Sequence, residues 1–173
     1  MTGHRAERST LYTSLESPLG GLLLVGDRDA LHGLYMQDAP DPIPFDPGWR
    51  PCADAFAEVA AQLSEYFAGR RTTFEVELAM AGTPFQHRVW DALREIGYGE
   101  TRTYGELARR IDRPGAARAV GAANGRNPIA VIVPCHRVIG AGGALTGFGG
   151  GIGRKRLLLE LEASPRASVT PSQ

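Results

Sequence analysis

The chain is poor in cysteine and has no long hydrophobic segment. Its two cysteines, Cys52 and Cys135, are too few for the disulfide framework of a small secreted protein. No apolar run approaches the roughly 20 residues that a membrane-spanning helix needs. The polar, charged segment 1–9 also lacks the apolar core of a signal peptide. These absences favour a cytoplasmic protein with reduced thiols and no membrane partner.

Soft metal ligands are scarce as well. The first half of the chain offers Cys52, His4 and His32, which lie far apart in the sequence. A structural zinc site needs four such ligands, usually in closely spaced pairs. The sequence therefore predicts no metal site, and no motif in it points to another cofactor.

The net charge of zero hides an uneven distribution of charged residues. Residues 1–82 contain six arginines, no lysine and twelve acidic residues, whereas residues 83–173 contain thirteen basic and seven acidic residues. Such asymmetry predicts two modules, of which the basic one faces a polyanion; attraction between the two halves is the alternative. We expect a strand-rich structural domain over 1–82, a second domain over 83–165 and a disordered tail over 166–173.

The first half has the pattern of a small sheet followed by a helix. Turn residues at 17–20 separate two strand-like segments and predict a hairpin. Apolar residues at helical spacing predict a helix that ends before Gly69, and alternation predicts a strand after it. The expected elements are strands at 10–15, 21–25, 30–36 and 72–78, a loop at 38–51 and a helix at 53–67.

The second half begins with two helix-capping signals. In each, a threonine is followed three residues later by Gln or Glu: Thr83 with Gln86, and Thr103 with Glu106. The expected elements are a helix at 84–96, a helix at 104–111, a break at 112–115 and a small-residue helix at 116–123. This order is typical of a helix-turn-helix, although other helical hairpins share it. Together with the basic charge it favours DNA binding.

Cys135 and His136 form the most informative pair in the chain. They follow the apolar segment 129–133, which has the pattern of a buried strand. A thiolate is the useful nucleophile, and an adjacent imidazole makes it accessible near neutral pH. The alternative is a small core residue, because free cysteines are usually buried. Adjacent side chains of an extended chain point to opposite faces, so a turn at 134–135 or a bridging water must bring this pair together.

A glycine-dense loop at 140–151 and a final helix at 152–162 follow the cysteine. The glycines permit close approach of a ligand, or merely a flexible hairpin. We expect Leu157, Leu158 and Leu161 to share the buried face of the final helix.

The motifs of the second half resemble those of the O6-alkylguanine-DNA alkyltransferase family. They are Tyr104-Gly105-Glu106, Arg118-Ala119-Val120-Gly121, Asn127-Pro128 and Pro134-Cys135-His136-Arg137-Val138, within a resemblance that covers residues 83–162. The resemblance implies an α+β (α/β) fold. Its N-terminal domain would be ribonuclease H-like, with a small antiparallel sheet plus a helix, and its C-terminal domain helical and winged-helix-like, with the helix-turn-helix.

The resemblance also implies an activity and residue roles. The activity is DNA repair by a single-turnover methylated-DNA–protein-cysteine S-methyltransferase, which moves an alkyl group from O6 of guanine, or O4 of thymine, irreversibly to the protein after base flipping. Cys135 would be the nucleophile, and His136 would take its proton through a bridging water. Glu162 would orient His136, Asn127 would brace the turn before the cysteine, and Tyr104 would promote rotation of the nucleotide.

Contacts with double-stranded DNA containing O6-alkylguanine, through its minor groove, are implied in the same way. Arg118 would enter the base stack where the flipped nucleotide was. Further DNA contacts would come from Tyr104, Ala119, Gly121 and Arg126, and the walls of the alkylguanine pocket from Tyr104, Val138, Phe148 and Gly149. A monomer is expected, and the sequence leaves cooperative binding on DNA open.

Two other functions remain open at this point. One is a DNA-binding protein that recognises the lesion without accepting its alkyl group. The other is a cysteine hydrolase, which would turn over many times. Single residues also have structural alternatives: Arg118 as a solvated helix arginine, Tyr104 as a core aromatic and Glu162 as a surface acid. Arg137 is expected to be the structural partner of a buried acid.

Overall fold

The computed structural model describes residues 9–40 and 43–165 and has the mixed α+β fold predicted from the sequence. His4 and the predicted tail 166–173 lie outside the described residues. The strands are β1 (Leu11–Ser17), β2 (Gly20–Gly26), β3 (Leu31–Met36), β4 (Arg50–Pro51), β5 (Arg102–Thr103) and β6 (Val138–Ile139). The α-helices are α1 (Ala57–Phe67), α2 (Pro84–Arg94), α3 (Tyr104–Arg110), α4 (Ala117–Gly125) and α5 (Ile152–Ala163).

The N-terminal sheet has the strand order β3-β2-β1-β4. The predicted hairpin is confirmed: β1 and β2 pair antiparallel, with Ser17 opposite Gly20. The Ser17 hydroxyl donates to the Gly20 carbonyl at 2.8 Å, and Gly20 has a φ of +93°, which a residue with a Cβ rarely adopts. The predicted loop 38–51 is wrong at its end, because β4 pairs parallel with β1 there.

Residues 72–78 do not form the predicted strand. Side-chain burial does alternate along this segment, but the pairing with β3 is a single bridge between Leu31 and Leu78. The Leu31 amide donates to the Glu77 carbonyl and the Ala79 amide to the Leu31 carbonyl, both at 2.9 Å. The alternation of apolar and polar residues therefore correctly predicted an extended, half-buried segment. Regular pairing in a sheet also requires a partner strand, which the sequence does not show.

Helix α1 packs on the sheet through a buried face that includes Val59, Leu63 and Tyr66. The predicted helix 53–67 begins as a 3₁₀ turn, Ala53–Phe56, before it becomes α-helical. It ends before Gly69, whose φ of +74° confirms the predicted stop.

Both capping signals of the second half are confirmed. Thr83 accepts from the Gln86 amide while the Gln86 side chain accepts from the Thr83 amide, and Thr103 and Glu106 repeat the arrangement. Helices α3 and α4 are joined by the predicted break at 112–115 and pack together with α2. The indole of Trp90 on α2 donates to the Ala123 carbonyl at 2.9 Å, which satisfies a carbonyl in the last turn of α4.

Residues 129–133 are buried but do not form the predicted strand. They make a compact turn in which the Val133 amide donates to the Ile129 carbonyl at 3.0 Å, and Val131 has a φ of +73°. Ile129 makes one bridge to Leu34 of β3. A short apolar run predicts burial more reliably than conformation, because a buried turn carries the same residues as a buried strand.

The buried face of α5 also differs from the prediction. Lys155, Leu158 and Glu162 are its buried residues, at the spacing i, i+3, i+7 of one helical face. Leu158 was expected there, but Leu157 is 49% exposed and Leu161 is half-buried. The two polar side chains replace leucines because each has hydrogen-bond partners inside the protein.

We expect Trp90→Phe to lower the free energy of unfolding by about 1–3 kcal/mol, because it removes the buried hydrogen bond from the indole to the Ala123 carbonyl and takes away packed ring atoms. Leu157→Ala is the matched control and should change the free energy by less than about 0.5 kcal/mol, because Leu157 lies at the surface. Urea denaturation of both variants measures the difference. Equal losses would contradict this description of the helical half.

Candidate active site

Cys135 begins a 3₁₀ turn, Cys135–Arg137, directly after the buried turn 129–133. The Cys135 amide donates to the Val133 carbonyl at 2.8 Å, and the Arg137 amide to the Pro134 carbonyl at 3.0 Å. Cys135 is 6% exposed and His136 is fully buried. The backbone thus turns at the cysteine, as one of the two arrangements expected from the sequence requires.

Two asparagines hold this turn in place. The Asn127 amide group donates to the Val133 carbonyl at 2.8 Å, and its oxygen accepts from the Ile129 amide at 3.0 Å. Asn124, near the end of α4, donates to the Cys135 carbonyl at 3.3 Å. Asn127 has the bracing position that the resemblance implied. Asn124 was missed, although a polar residue on the inward face of a small-residue helix was a usable signal.

Glu162 brings together the side chains that follow the cysteine. His136 Nε2 lies 2.8 Å from Glu162 Oε1, and because a carboxylate only accepts, Nε2 carries the proton. Arg137 donates from Nε to Oε2 at 2.9 Å and from Nη2 to Oε1 at 2.8 Å. The expectation that Arg137 is the partner of a buried acid is confirmed. The alternative that Glu162 is a surface acid is wrong, because its residue is 5% exposed.

Tyr66 of helix α1 also reaches this carboxylate. Its hydroxyl donates to Glu162 Oε1 at 2.7 Å, across a sequence separation of 96 residues. The sequence analysis assigned it no role, because an aromatic at helical spacing predicts only core packing. The N-terminal half of the chain therefore contributes a side chain to the network around His136.

The three titratable groups at the turn have shifted pKa values. Burial tends to raise the pKa of Glu162, but hydrogen bonds from His136, Arg137 and Tyr66 outweigh it and lower the pKa to about 2. Burial lowers the pKa of His136, although Glu162 acts in the opposite direction. Burial also raises the pKa of the Cys135 thiol. Near neutral pH the resting site thus holds a charged carboxylate, a neutral imidazole and a neutral thiol.

His136 Nδ1 is the site's available proton acceptor. With the proton on Nε2, neutral Nδ1 has a lone pair, and it makes no hydrogen bond with any of the described residues. Leaving a buried polar atom unpaired costs about 1–3 kcal/mol, so such atoms usually have a function. An imidazole that is oriented by a carboxylate and adjacent to a thiol matches the nucleophile, base and orienting group of activated nucleophiles.

Lys155, the single lysine of the chain, is fully buried on α5. Its ammonium donates to the Val138 carbonyl and, at 2.8 Å, to the Thr146 carbonyl. Burial lowers the pKa of Lys155, and a charge on Cys135 would raise it. The positive charge also favours a thiolate on Cys135. Sequence analysis missed this residue, because its burial becomes visible only once the inward face of α5 is known.

A cavity of about 610 Å³ lies beside Cys135. Both halves of the chain line it, through residues that include Met36, Ile43, Asn127, Phe148 and Gly149. Phe148 and Gly149 were expected at a pocket, but Tyr104 and Val138 are not brought to this cavity. The Tyr104 hydroxyl donates instead to the Thr146 carbonyl at 3.1 Å, and Val138 is fully buried. Their place at an alkylguanine pocket stays a prediction.

The outer face of α4 carries the residues expected to contact DNA. Arg118, Ala119 and Arg126 are exposed, while Val120 points into the core. Gly121 is half-buried, and a Cβ there would lie 3.6 Å from the Tyr104 ring. The exposed side of this helix, together with Arg126 directly after it, thus combines two arginines with small residues, which allows close approach to a nucleic-acid surface.

Within 9–40 and 43–165, no three His, Cys, Asp or Glu side chains come together as a group that could hold a metal ion. In the same part of the chain, no helix has both the length and the apolar character needed to cross a membrane.

Comparison with known proteins extends over nearly the whole chain. Residues 10–80 match the family model of the 6-O-methylguanine DNA methyltransferase ribonuclease-like domain, and residues 84–164 match that of its DNA binding domain. A methylated-DNA–protein-cysteine methyltransferase of Mycobacterium tuberculosis is 58% identical over 88% of this chain and 92% of its own length. One of Methanosarcina acetivorans is 52% identical, over 88% and 98%.

Solved structures give the same result. The O6-methylguanine methyltransferase of Mycobacterium tuberculosis superposes with a TM-score of 0.86 at 56% identity, covering 92% of this chain and 96% of that chain. The structure of Mycobacterium tuberculosis OGT in complex with DNA superposes with a TM-score of 0.82 at 56% identity, covering 88% and 92%. The chain belongs to the 6-O-methylguanine DNA methyltransferase family.

Proposed function

We propose that this protein repairs DNA by transferring an alkyl group, typically methyl, from O6 of guanine to Cys135 Sγ. It acts as a methylated-DNA–protein-cysteine S-methyltransferase. The observation that carries the proposal is a thiol at the edge of a cavity, next to an imidazole with a lone pair on Nδ1 and its Nε2 proton held by Glu162. The family of the chain supplies the substrate class.

The transfer is a single displacement at carbon. Cys135 Sγ attacks the alkyl carbon, the new C–S bond forms, and the C–O6 bond breaks with its electron pair remaining on guanine. The thiol proton passes to His136 Nδ1, in the family through a bridging water, and the departing guanine takes up a proton. Because a thioether is a stable product, each protein molecule reacts once.

The charges around the turn support this step. Formation of a thiolate creates a negative charge in a buried place, where it needs a compensating positive charge. Imidazolium at His136 and ammonium at Lys155 both supply one, and Glu162 stabilises the imidazolium. A thiol that stays neutral until this proton transfer reacts only slowly with unrelated electrophiles.

The target base must leave the double helix before it can react. An O6 atom engaged in pairing within a stacked duplex cannot align with a sulfur beside an interior cavity, so the nucleotide is extruded, at a cost of a few kcal/mol. We assign to Arg118 the insertion into the gap, with stacking and hydrogen bonding to the orphaned base. Tyr104, Ala119, Gly121 and Arg126 are proposed to contact the DNA, through the minor groove.

The remaining parts of the proposal concern the organisation of the chain. We place the boundary between a structural domain over 1–82 and a DNA-binding and transfer domain over 83–165. The two family matches, which leave 81–83 between them, support this division. We also propose that the protein is a monomer that binds DNA containing O6-alkylguanine, and that O4 of thymine is a second target.

Incubation with a duplex that contains O6-methylguanine should add one methyl group to Cys135 and consume one equivalent of lesion. Intact-mass measurement and peptide mapping detect the change. Cys135→Ser should abolish it, whereas Cys52→Ser, a change at the other cysteine, should leave it intact. Duplex binding without a mass increase would identify a recognition protein instead, and consumption of several equivalents per molecule would identify a hydrolase.

Arg118→Ala should lower the rate constant of transfer at saturating duplex by about 10-fold to 100-fold, because the extruded state of the nucleotide is less stable without the guanidinium. This corresponds to an increase of about 1.4–2.8 kcal/mol in the activation free energy. Arg118→Lys should keep most of the DNA affinity but not the rate, because ammonium lacks the flat stacking surface of guanidinium. Single-turnover kinetics measure both. In single-stranded DNA, where no stack must be opened, the Arg118→Ala defect should shrink; an equal defect there would contradict the role.

A further inference from the structure

The carboxylate that orients His136 accepts a hydrogen bond from the opposite half of the chain. Glu162 Oε1 accepts from the Tyr66 hydroxyl at 2.7 Å, and the same oxygen accepts from His136 Nε2 and from Arg137 Nη2, each at 2.8 Å. Three donors therefore compete for one oxygen. Tyr66 lies outside the motifs of the second half of the chain, and the descriptions of the family assign it no function.

The position of the Tyr66 hydroxyl is fixed by its surroundings. The side chain is fully buried, and its ring lies 5.3 Å from Phe67 and from Phe74 and 6.1 Å from Tyr98, measured between ring centroids. Burial, together with the negative charge of Glu162, raises the pKa of Tyr66, so the hydroxyl stays a donor at all relevant pH values. Because the ring is held in place and the hydroxyl stays protonated, the hydrogen bond to Glu162 persists.

We propose that Tyr66 is a positioning residue for alkyl transfer, through which the N-terminal half holds Glu162 and limits the negative charge that this carboxylate presents to His136. The proposal rests on the proposed function, because it gives Tyr66 a role in the reaction of Cys135. It means that helix α1 takes part in the chemistry and does not only cover the core.

The direction of the effect follows from charge sharing. An oxygen that accepts three hydrogen bonds has part of its charge neutralised by each donor, so removal of one donor leaves more charge for the others. Without the Tyr66 hydroxyl, Glu162 would stabilise imidazolium more strongly, and the pKa of His136 would rise. The titratable and charged groups that surround Tyr66, His136 and Glu162 are Cys135, Arg137, Lys155 and Tyr98. Tyr66→Phe leaves the other four unchanged.

Tyr66→Phe removes the hydroxyl and keeps the ring, so it is the direct test. His136 must be neutral to accept the thiol proton, and the rate of transfer should therefore fall on the acid side with the pKa of His136. We expect the acid-side midpoint of the single-turnover rate to move to higher pH by about 0.5–1 unit in the variant. The plateau rate should fall by about 3-fold to 10-fold, because Glu162 loses one of its anchors.

Gln62→Met is the matched control. Gln62 is a buried side chain one turn earlier on α1, and its amide donates to the Glu75 carbonyl at 3.1 Å, away from Glu162. This variant should lower the melting temperature without moving the acid-side midpoint. If Tyr66→Phe behaves like Gln62→Met, with lower stability and an unchanged midpoint, Tyr66 only packs and the proposal is wrong.

A second readout separates this proposal from the proposed function. The pH dependence of Cys135 alkylation by iodoacetamide requires no DNA, and its acid-side midpoint should shift in Tyr66→Phe by the same amount. A shift seen with iodoacetamide, in a protein that accepts no methyl group from DNA, would retain Tyr66 as a positioning residue and reject the repair function. In the unaltered chain, the Tyr66 hydroxyl proton should be protected from exchange in NMR spectra, and rapid exchange would overturn the proposal.

Discussion

The buried carboxylate of Glu162 is the constraint on which both the fold and the site depend. A charge removed from water must be paired and hydrogen-bonded, and Glu162 meets this demand with donors from two other parts of the chain. Tyr66 belongs to α1, His136 and Arg137 belong to the 3₁₀ turn Cys135–Arg137, and the carboxylate itself belongs to α5. The same contacts that make the charge tolerable also fix the orientation of the imidazole next to Cys135.

The buried charges also support the proposed conversion of a neutral, weakly reactive thiol into a nucleophile. Arg137 and Tyr66 stabilise Glu162 as an anion, while burial keeps His136 and Cys135 neutral at rest. In the proposed reaction, proton transfer from the thiol to the imidazole produces an ion pair between charges already arranged to receive it, with Lys155 nearby. Such preorganisation lowers the reorganisation needed at the moment of reaction. The site is therefore a property of the whole buried network and not of the cysteine motif alone.

The sequence predicted the features that local chemistry decides. Thr83 and Thr103 start helices because their capping partners lie three residues away, and the adjacency of Cys135 and His136 predicted the nucleophile that we propose. Features that depend on distant partners were missed or wrong. Residues 129–133 form a turn because β3 and the asparagines hold them, and Tyr66 donates a hydrogen bond to a carboxylate 96 residues away. Periodicity likewise predicted that leucines form the buried face of α5. Two polar residues lie on that face instead, because they have hydrogen-bond partners inside the protein.

Glu162 holds His136 as a neutral imidazole with its proton on Nε2 and its lone pair on Nδ1. Nitrogen NMR of the protein, with histidine labelled in the ring, tests it most directly across a pH titration. We expect the Nε2–H tautomer at neutral pH, with the pKa of His136 below the ordinary histidine value because the ring is buried. A proton on Nδ1, or a charged ring at pH 7, would contradict it.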